Sequence, residues 1–91
     1  MSDSTPSPCW YVYMVACRDD SLYTGVCLDP AQRVKEHNSS PRGARYTRAR
    51  RPVKLVYTEA LESRSAAMQR EMAIKRLKRR EKLALIHGMR D

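Results

Sequence analysis

The sequence predicts an α+β domain, a small three-stranded sheet with helices packed against it. Three observations lead there. At 91 residues the chain suits one small domain, whose core can hold a single layer of sheet and its helices. The stretch Trp10 to Cys27 reads as a β-hairpin: two runs rich in tyrosine and β-branched residues flank the polar break Arg18-Asp19-Asp20-Ser21. After it come helix signals, first at Asp29-Pro30 and again from Ser63 onward.

The first strand is expected over Trp10 to Cys17. Tyr11, Tyr13, Val15 and Cys17 share one face, and Trp10, Val12, Met14 and Ala16 the other. Both faces are apolar, which predicts a central strand covered on both sides. The second strand is expected over Leu22 to Cys27. Tyr13 and Tyr23 share a face only if the loop has odd length, either three residues (Asp19, Asp20, Ser21) or five. A four-residue loop pairing Cys17 with Leu22 would separate them.

Asp29 as N-cap, Pro30 at N1 and Gln32 at N3 open a helix to His37 or Asn38. Arg33 and His37 fall on one face of it, beside Val34. Ser39 to Pro52 reads as a loop with at most one helical turn. It carries Arg42, Arg45, Arg48, Arg50 and Arg51 around Tyr46, with no acidic residue. Val53 to Ala60 is the third strand. Ser63, with Ser65 as rival, caps a helical run to Ile86 that is expected to bend or break near Lys78 to Arg80, with Gly88 as its stop. Residues 9–87 thus form one domain, between a polar, proline-punctuated tail at 1–8 and a short tail at 88–91.

Net charge of +8 favours an acidic polymer as partner, nucleic acid before an anionic membrane. No apolar window approaches the roughly 20 residues a membrane span needs, and no signal peptide is evident. Cys9, Cys17 and Cys27 include no C-x-x-C pair, which fits a reducing, cytoplasmic setting. Cys17, Cys27 and His37 lack zinc-finger spacing.

Each candidate site residue has two readings. Glu71 lies in an apolar helical stripe between Ala67, Met68 and Ile74. It is either the acid of an i,i+4 pair with Lys75 or a single ligand for Mg²⁺, an ion content with one carboxylate and phosphate oxygens. Arg33 and His37 either clamp a phosphate or face solvent. Tyr13 and Tyr23 either pack or act as hydroxyls, and a base role requires cations to pull the phenol down from about 10. The arginine loop with Tyr46 suits phosphate contact and base stacking.

These residues, in this order, resemble the GIY-YIG nuclease superfamily. Tyr11-Val12-Tyr13 stands as the first motif, Tyr23-Thr24-Gly25 as the second, Arg33 and His37 on the helix that follows, and Glu71 on the later helix. The stretches LYTGVCLDPAQRVKEHN and GARYTRARRPVKLVY are the most telling, and the resemblance covers residues 9 to 86. The stand-alone layout looks like the small bacterial UPF0213-type members, and also like the nuclease domain of the eukaryotic structure-selective endonuclease catalytic subunit. The resemblance implies a mixed or antiparallel three-stranded sheet and hydrolysis of a DNA phosphodiester with one Mg²⁺ (or Mn²⁺), in repair or processing. Tyr13 is then the general base, with Tyr23 positioning water or phosphate. Arg33 stabilises the phosphorane, His37 assists, and Glu71 holds the metal. Implied partners are DNA, branched or single-stranded, and a protein that supplies specificity, with no small-molecule cofactor. The implied location is the cytoplasm, at the nucleoid in a bacterium. A binding module that keeps the fold without turnover is the alternative. Tyr11 stands where the family name has Gly, and Val26 and Cys27 follow the second motif where some members place a Lys.

Overall fold

A computed structural model describes residues 9 to 90; the tail expected at 1–8 lies outside them. The order is β1 (Trp10–Ala16), β2 (Leu22–Cys27), α1 (Pro30–Ser39), α2 (Arg45–Arg48), β3 (Lys54–Leu61), α3 (Arg64–Lys75) and α4 (Arg79–Arg90). The three strands form one sheet in the order β2-β1-β3, and both pairings are antiparallel, so the mixed form is not adopted.

The register pairs Tyr13 with Gly25 and Val15 with Tyr23, so Tyr13 and Tyr23 share a face. The loop is the five-residue option: Cys17 N donates to Ser21 O at 2.8 Å, and Ser21 N and Oγ donate to Asp19 Oδ1. Asp20 takes the positive φ of 67° that the turn demands, a conformation aspartate tolerates better than most residues.

β1 is buried on both faces, as its two apolar sides predict. Val12 and Met14 pack with Tyr57, Ala67 of α3, Ile74 of α3 and Ile86 of α4. On the opposite face Tyr13, Val15 and Cys17 pack with Cys27, Val53 and, less deeply, Tyr23, Val34 and Leu55. A bulge in β3 makes this division possible. Met14 faces Tyr57, but Val15 faces Leu55, so Val56 is the extra residue. Tyr57 and Leu55 therefore join opposite layers despite their spacing of two.

The helix ends follow their caps. Asp29 Oδ1 accepts from Gln32 N at 3.2 Å, and Ser63 Oγ accepts from Ala66 N at 3.0 Å. The long helical run breaks at Arg76 to Lys78, where Glu81 Oε1 accepts from Lys78 N at 2.8 Å and starts α4. α4 passes through Gly88 to Arg90, so the stop expected there is not taken. No glycine among the described residues adopts the left-handed conformation that ends a helix. Among the described residues no helix is long and apolar enough to cross a membrane.

Candidate active site

The site is built on the crossing of Tyr13 over Gly25. Tyr13 is only 1% exposed, and its ring runs across the glycine opposite it on β2. A Cβ at position 25 would lie 2.6 Å from Tyr13 Oη, closer than atoms can approach, so a side chain here would displace the ring. β2 is the sheet edge, and Tyr13 reaches that edge only because residue 25 has no side chain.

Behind Tyr13 stands His37 of α1, fully buried. Its Nε2 is 2.7 Å from Tyr13 Oη, and its Nδ1 is 2.8 Å from Thr47 Oγ1 of α2. Tyr23 packs against both rings, 6.4 Å from Tyr13 and 5.4 Å from His37 between centroids. Arg33, one turn before His37, lies close enough to the Tyr13 hydroxyl for its charge to favour the ionised phenol. It is held there by Glu36 Oε1 at 2.9 Å and the Arg42 carbonyl at 2.8 Å.

The opposite wall belongs to α3. Arg64, Met68 and Glu71 share one face of that helix and, with Trp10 and Val26, close a cavity of about 310 Å³ whose other lining is Tyr13, Tyr23, Gly25 and Arg33. The cavity therefore wraps the free edge of β2, between α1 on one face of the sheet and α3 on the other. Tyr13, Tyr23, Arg33 and Glu71 meet in it as the sequence predicts. His37 does not line it and reaches it only through Tyr13.

Trp10, Gly25, Arg64 and Met68 are lining residues that the sequence reading passed over. The Ser63 cap carried the signal for two of them, because it fixes α3 and puts positions 64, 68 and 71 on one face. Trp10 shares its strand face with Val12 and Met14 and so looked like core. Instead it sits at the end of that face, half-buried, with the Arg64 guanidinium 5.7 Å from its ring centroid.

Electrostatics correct one expectation. Burial raises the Tyr13 phenol well above its ordinary value, and the nearby Arg33 cation offsets only part of that. The cation next to Tyr13 is thus too weak alone to make it a phenolate at neutral pH. Burial also holds His37 down to about 4, with the Arg33 charge acting in the same direction, so the imidazole is neutral.

Glu71 Oε2 pairs with Lys75 Nζ at 3.2 Å, so the i,i+4 pair exists. Its side chain is 20% exposed and lies at the cavity wall. Among the described residues no group of three or more His, Cys, Asp or Glu could hold a metal, and Cys17 and Cys27 are free buried thiols. Glu71 is the one carboxylate in the cavity lining. One carboxylate beside Arg33 fits an octahedral cation that keeps its waters and shares a phosphate; it does not fit a protein-enclosed ion.

The arginine loop divides. Arg51 is turned inward: its Nε donates to the His37 carbonyl and its NH2 group to the Ser40 carbonyl at 2.8 Å, which satisfies the end of α1. Arg51, expected at the nucleic-acid surface, is thus partly buried and commits two of its donors to the fold. Arg50 donates to Asp19 Oδ2 at 3.1 Å and to the Tyr46 carbonyl at 2.9 Å, and its guanidinium stacks on the Tyr46 ring at 3.9 Å. Tyr46 also stacks on Tyr23, 5.9 Å between centroids, which ties the loop to the cavity. Arg42, Arg45 and Arg48 are exposed. Asn38 was also missed: its amide exchanges hydrogen bonds of 3.0 and 2.7 Å with the Val53 backbone and anchors the far end of the loop.

The model of the GIY-YIG catalytic domain matches residues 9–84. A UPF0213 protein of Desulfotalea psychrophila is 54% identical over 82 residues, covering 90% of this chain and 74% of that protein. One from Syntrophus aciditrophicus is 50% identical over 84% of this chain and 87% of its own length. The solution structure of a UPF0213 protein from Bacillus halodurans superposes with a TM-score of 0.56 at 44% identity, over 87% of this chain and 83% of that one. A solution structure from E. faecalis gives 0.61 at 40% identity, over 92% and 88%. With the tyrosine pair, Arg33 and Glu71 around one cavity, the chain belongs to the GIY-YIG nuclease family.

Proposed function

We propose that the protein is a Mg²⁺-dependent (or Mn²⁺-dependent) endonuclease or nickase that hydrolyses a DNA phosphodiester during repair or processing of unusual DNA. The observation that carries this is the convergence of Tyr13, Tyr23, Arg33 and Glu71, from four separate elements, on one cavity. A phosphate entering it meets the Arg33 guanidinium, which is fixed in place by Glu36 and the Arg42 carbonyl and needs little reorganisation to hold developing charge. Tyr23 offers a half-buried hydroxyl to water or phosphate. Glu71 would hold the single cation, exchanging its Lys75 partner for it. The bound ion would supply neutralisation of the leaving oxygen.

Tyr13 begins protonated, so its work as a base belongs to the loaded site, where more positive charge than Arg33 alone offsets its burial. Trp10 and Met68 form an apolar wall on which a base next to the cut phosphate would rest. Exposed Arg42, Arg45 and Arg48 would follow the backbone, and a protein partner would supply target choice.

The test is cleavage of labelled single-stranded, duplex and branched DNA with Mg²⁺ or EDTA, for wild type, Tyr13→Phe and Glu71→Ala. Metal-dependent cutting lost in both variants is expected. Binding without cutting in wild type would leave a nucleic-acid-binding module in its place.

A further inference from the structure

We infer that Thr47 and the Ala44 amide are positioning groups that fix His37 in one tautomer, with its proton on Nε2, so that the imidazole donates to Tyr13 Oη and does not accept from it. A backbone N–H can only donate, and Ala44 N–H points at His37 Nδ1 from 3.3 Å. Nδ1 must therefore present its lone pair. Thr47 Oγ1 is 2.8 Å from the same nitrogen. The Ala44 carbonyl lies 2.9 Å from that hydroxyl, but it already accepts from Thr47 N and Arg48 N, each at 3.1 Å. The Thr47 hydroxyl can donate to that carbonyl or to Nδ1; with Nδ1 presenting its lone pair to the Ala44 N–H, the inferred arrangement turns the hydroxyl proton to Nδ1. The opposite tautomer would set N–H against N–H.

His37 and Thr47 are both fully buried, so no solvent stands in for a lost partner. Gly43 makes the approach possible. A Cβ there would meet the Glu36 carbonyl at 2.8 Å and His37 Cα at 2.9 Å. The stretch Gly43-Ala44-Arg45-Tyr46-Thr47, part of the basic loop, therefore also docks on α1 and sets a ring it does not expose.

The remaining proton sits on Nε2, 2.7 Å from Tyr13 Oη. The Arg33 charge lies near that oxygen. The hydrogen bond from Nε2 runs toward Tyr13, which leaves the phenol its own hydrogen for the cavity. When the phenol ionises, its O–H bond breaks and the proton passes to cavity water. The electron pair stays on Oη against the Nε2–H donor, with the Arg33 charge nearby. His37 does not take that proton, since Nε2 already carries one. The tautomer stands on geometry alone; its consequence for Tyr13 rests on the nuclease reading above.

Long-range ¹H–¹⁵N spectra of ¹⁵N-labelled protein at neutral pH test this directly. The exposed His87 is replaced by Gln so that His37 alone reports. The expected result is an unprotonated-type shift for Nδ1 and a protonated-type shift for Nε2. A protonated-type Nδ1, or two averaged shifts, overturns the assignment whether or not the protein cuts DNA. Thr47→Val keeps the shape and removes the hydroxyl. It is expected to move both shifts toward averaging and to slow metal-dependent cleavage about tenfold, the equivalent of one hydrogen bond, while Thr47→Ser restores both. Wild-type shifts in a folded Thr47→Val protein would remove Thr47 from the assignment. An absence of cleavage alongside the expected shifts would count against the nuclease reading and leave the tautomer standing.

Discussion

The two walls of the cavity are made differently. On the α1 side the fully buried polar groups are tied to one another. Tyr13, His37 and Thr47 are each at most 1% exposed and joined at 2.7 and 2.8 Å, and the end of α1 is closed by Arg51. On the α3 side Met68 is 42% exposed, and Glu71 is held by Lys75 at 3.2 Å. The first wall is set before anything binds. The second is made of partners that can be exchanged. Altering the α1 side should therefore disturb the fold and the site together, and altering the α3 side should touch the site alone.

The largest effect is expected at the seam between them. Gly25→Ala forces a Cβ to within 2.6 Å of Tyr13 Oη, and the ring cannot retreat because His37 and Tyr23 back it. Overpacking of a buried site costs about 1–3 kcal/mol. Urea unfolding should show a loss in the upper part of that range, and cleavage should disappear. Near-wild-type stability would mean that Tyr13 can leave its place above β2.

Tyr13→Phe comes next. It preserves packing but, with the tautomer inferred above, strands the His37 Nε2 hydrogen in a fully buried place. An orphaned buried donor costs about 1–3 kcal/mol, so Tyr13→Phe should lower the urea midpoint as well as stop cutting. Unchanged stability would break the view that this wall is held by its hydrogen bonds.

What the sequence made legible follows the same division. The hairpin and the Asp29 and Ser63 caps could be read, because period and capping chemistry are local; that Tyr13, Tyr23, Arg33 and Glu71 belong to one site came from the resemblance to the nuclease superfamily. The fates of Arg50 and Arg51 could not. In sequence they look like Arg42, Arg45 and Arg48, and only the folded loop brings Arg50 to Asp19 and Arg51 to the end of α1. Gly25 was visible as a motif residue, yet its reason, the ring lying across it, is tertiary. The β3 bulge at Val56 was equally hidden, since β3 alternation alone predicts Leu55 and Tyr57 on one face.

The arginines allow the comparison to be made within a single loop. Exposed Arg42, Arg45 and Arg48, changed together to Ala, should leave the unfolding midpoint within about 0.5 kcal/mol of wild type. Each phosphate contact so lost should flatten the dependence of log K on log salt by about 0.7 for single strands. Arg51→Ala should do the reverse, lowering stability by about 1–3 kcal/mol through two unsatisfied carbonyls at the end of α1. Equal effects in the two variants would erase the distinction.

Acid sharpens the α1 side further. His37 is held down to about 4 in the fold against an ordinary 6.5, so between these values the unfolded chain binds the proton and the folded chain does not. Its contribution is complete above about 6.5 and is lost as pH falls toward 4. Urea midpoints should decline across that window. The decline should be shallower in His37→Gln, which carries no titrating ring. Parallel slopes would show that the ring protonates without cost and is not enclosed as drawn.

The smallest effect on stability is expected at Glu71, where the effect on function should be among the largest. Glu71→Gln keeps shape and removes charge, and its ion pair with the half-exposed Lys75 is of the kind worth well under about 1 kcal/mol. The variant should unfold within about 0.5 kcal/mol of wild type, since nothing buried loses a partner. Wild type should gain in midpoint when Mg²⁺ is added in the presence of a short oligonucleotide, because a ligand held by the folded state alone stabilises it by mass action. Glu71→Gln should gain less from the metal while still responding to the oligonucleotide. The α3 wall would then be confirmed as the exchangeable one, since the residue that contributes least to the empty fold would contribute most to the loaded site. Should Glu71→Gln instead unfold as readily as Tyr13→Phe, both walls would be equally fixed and Glu71 would be a structural carboxylate.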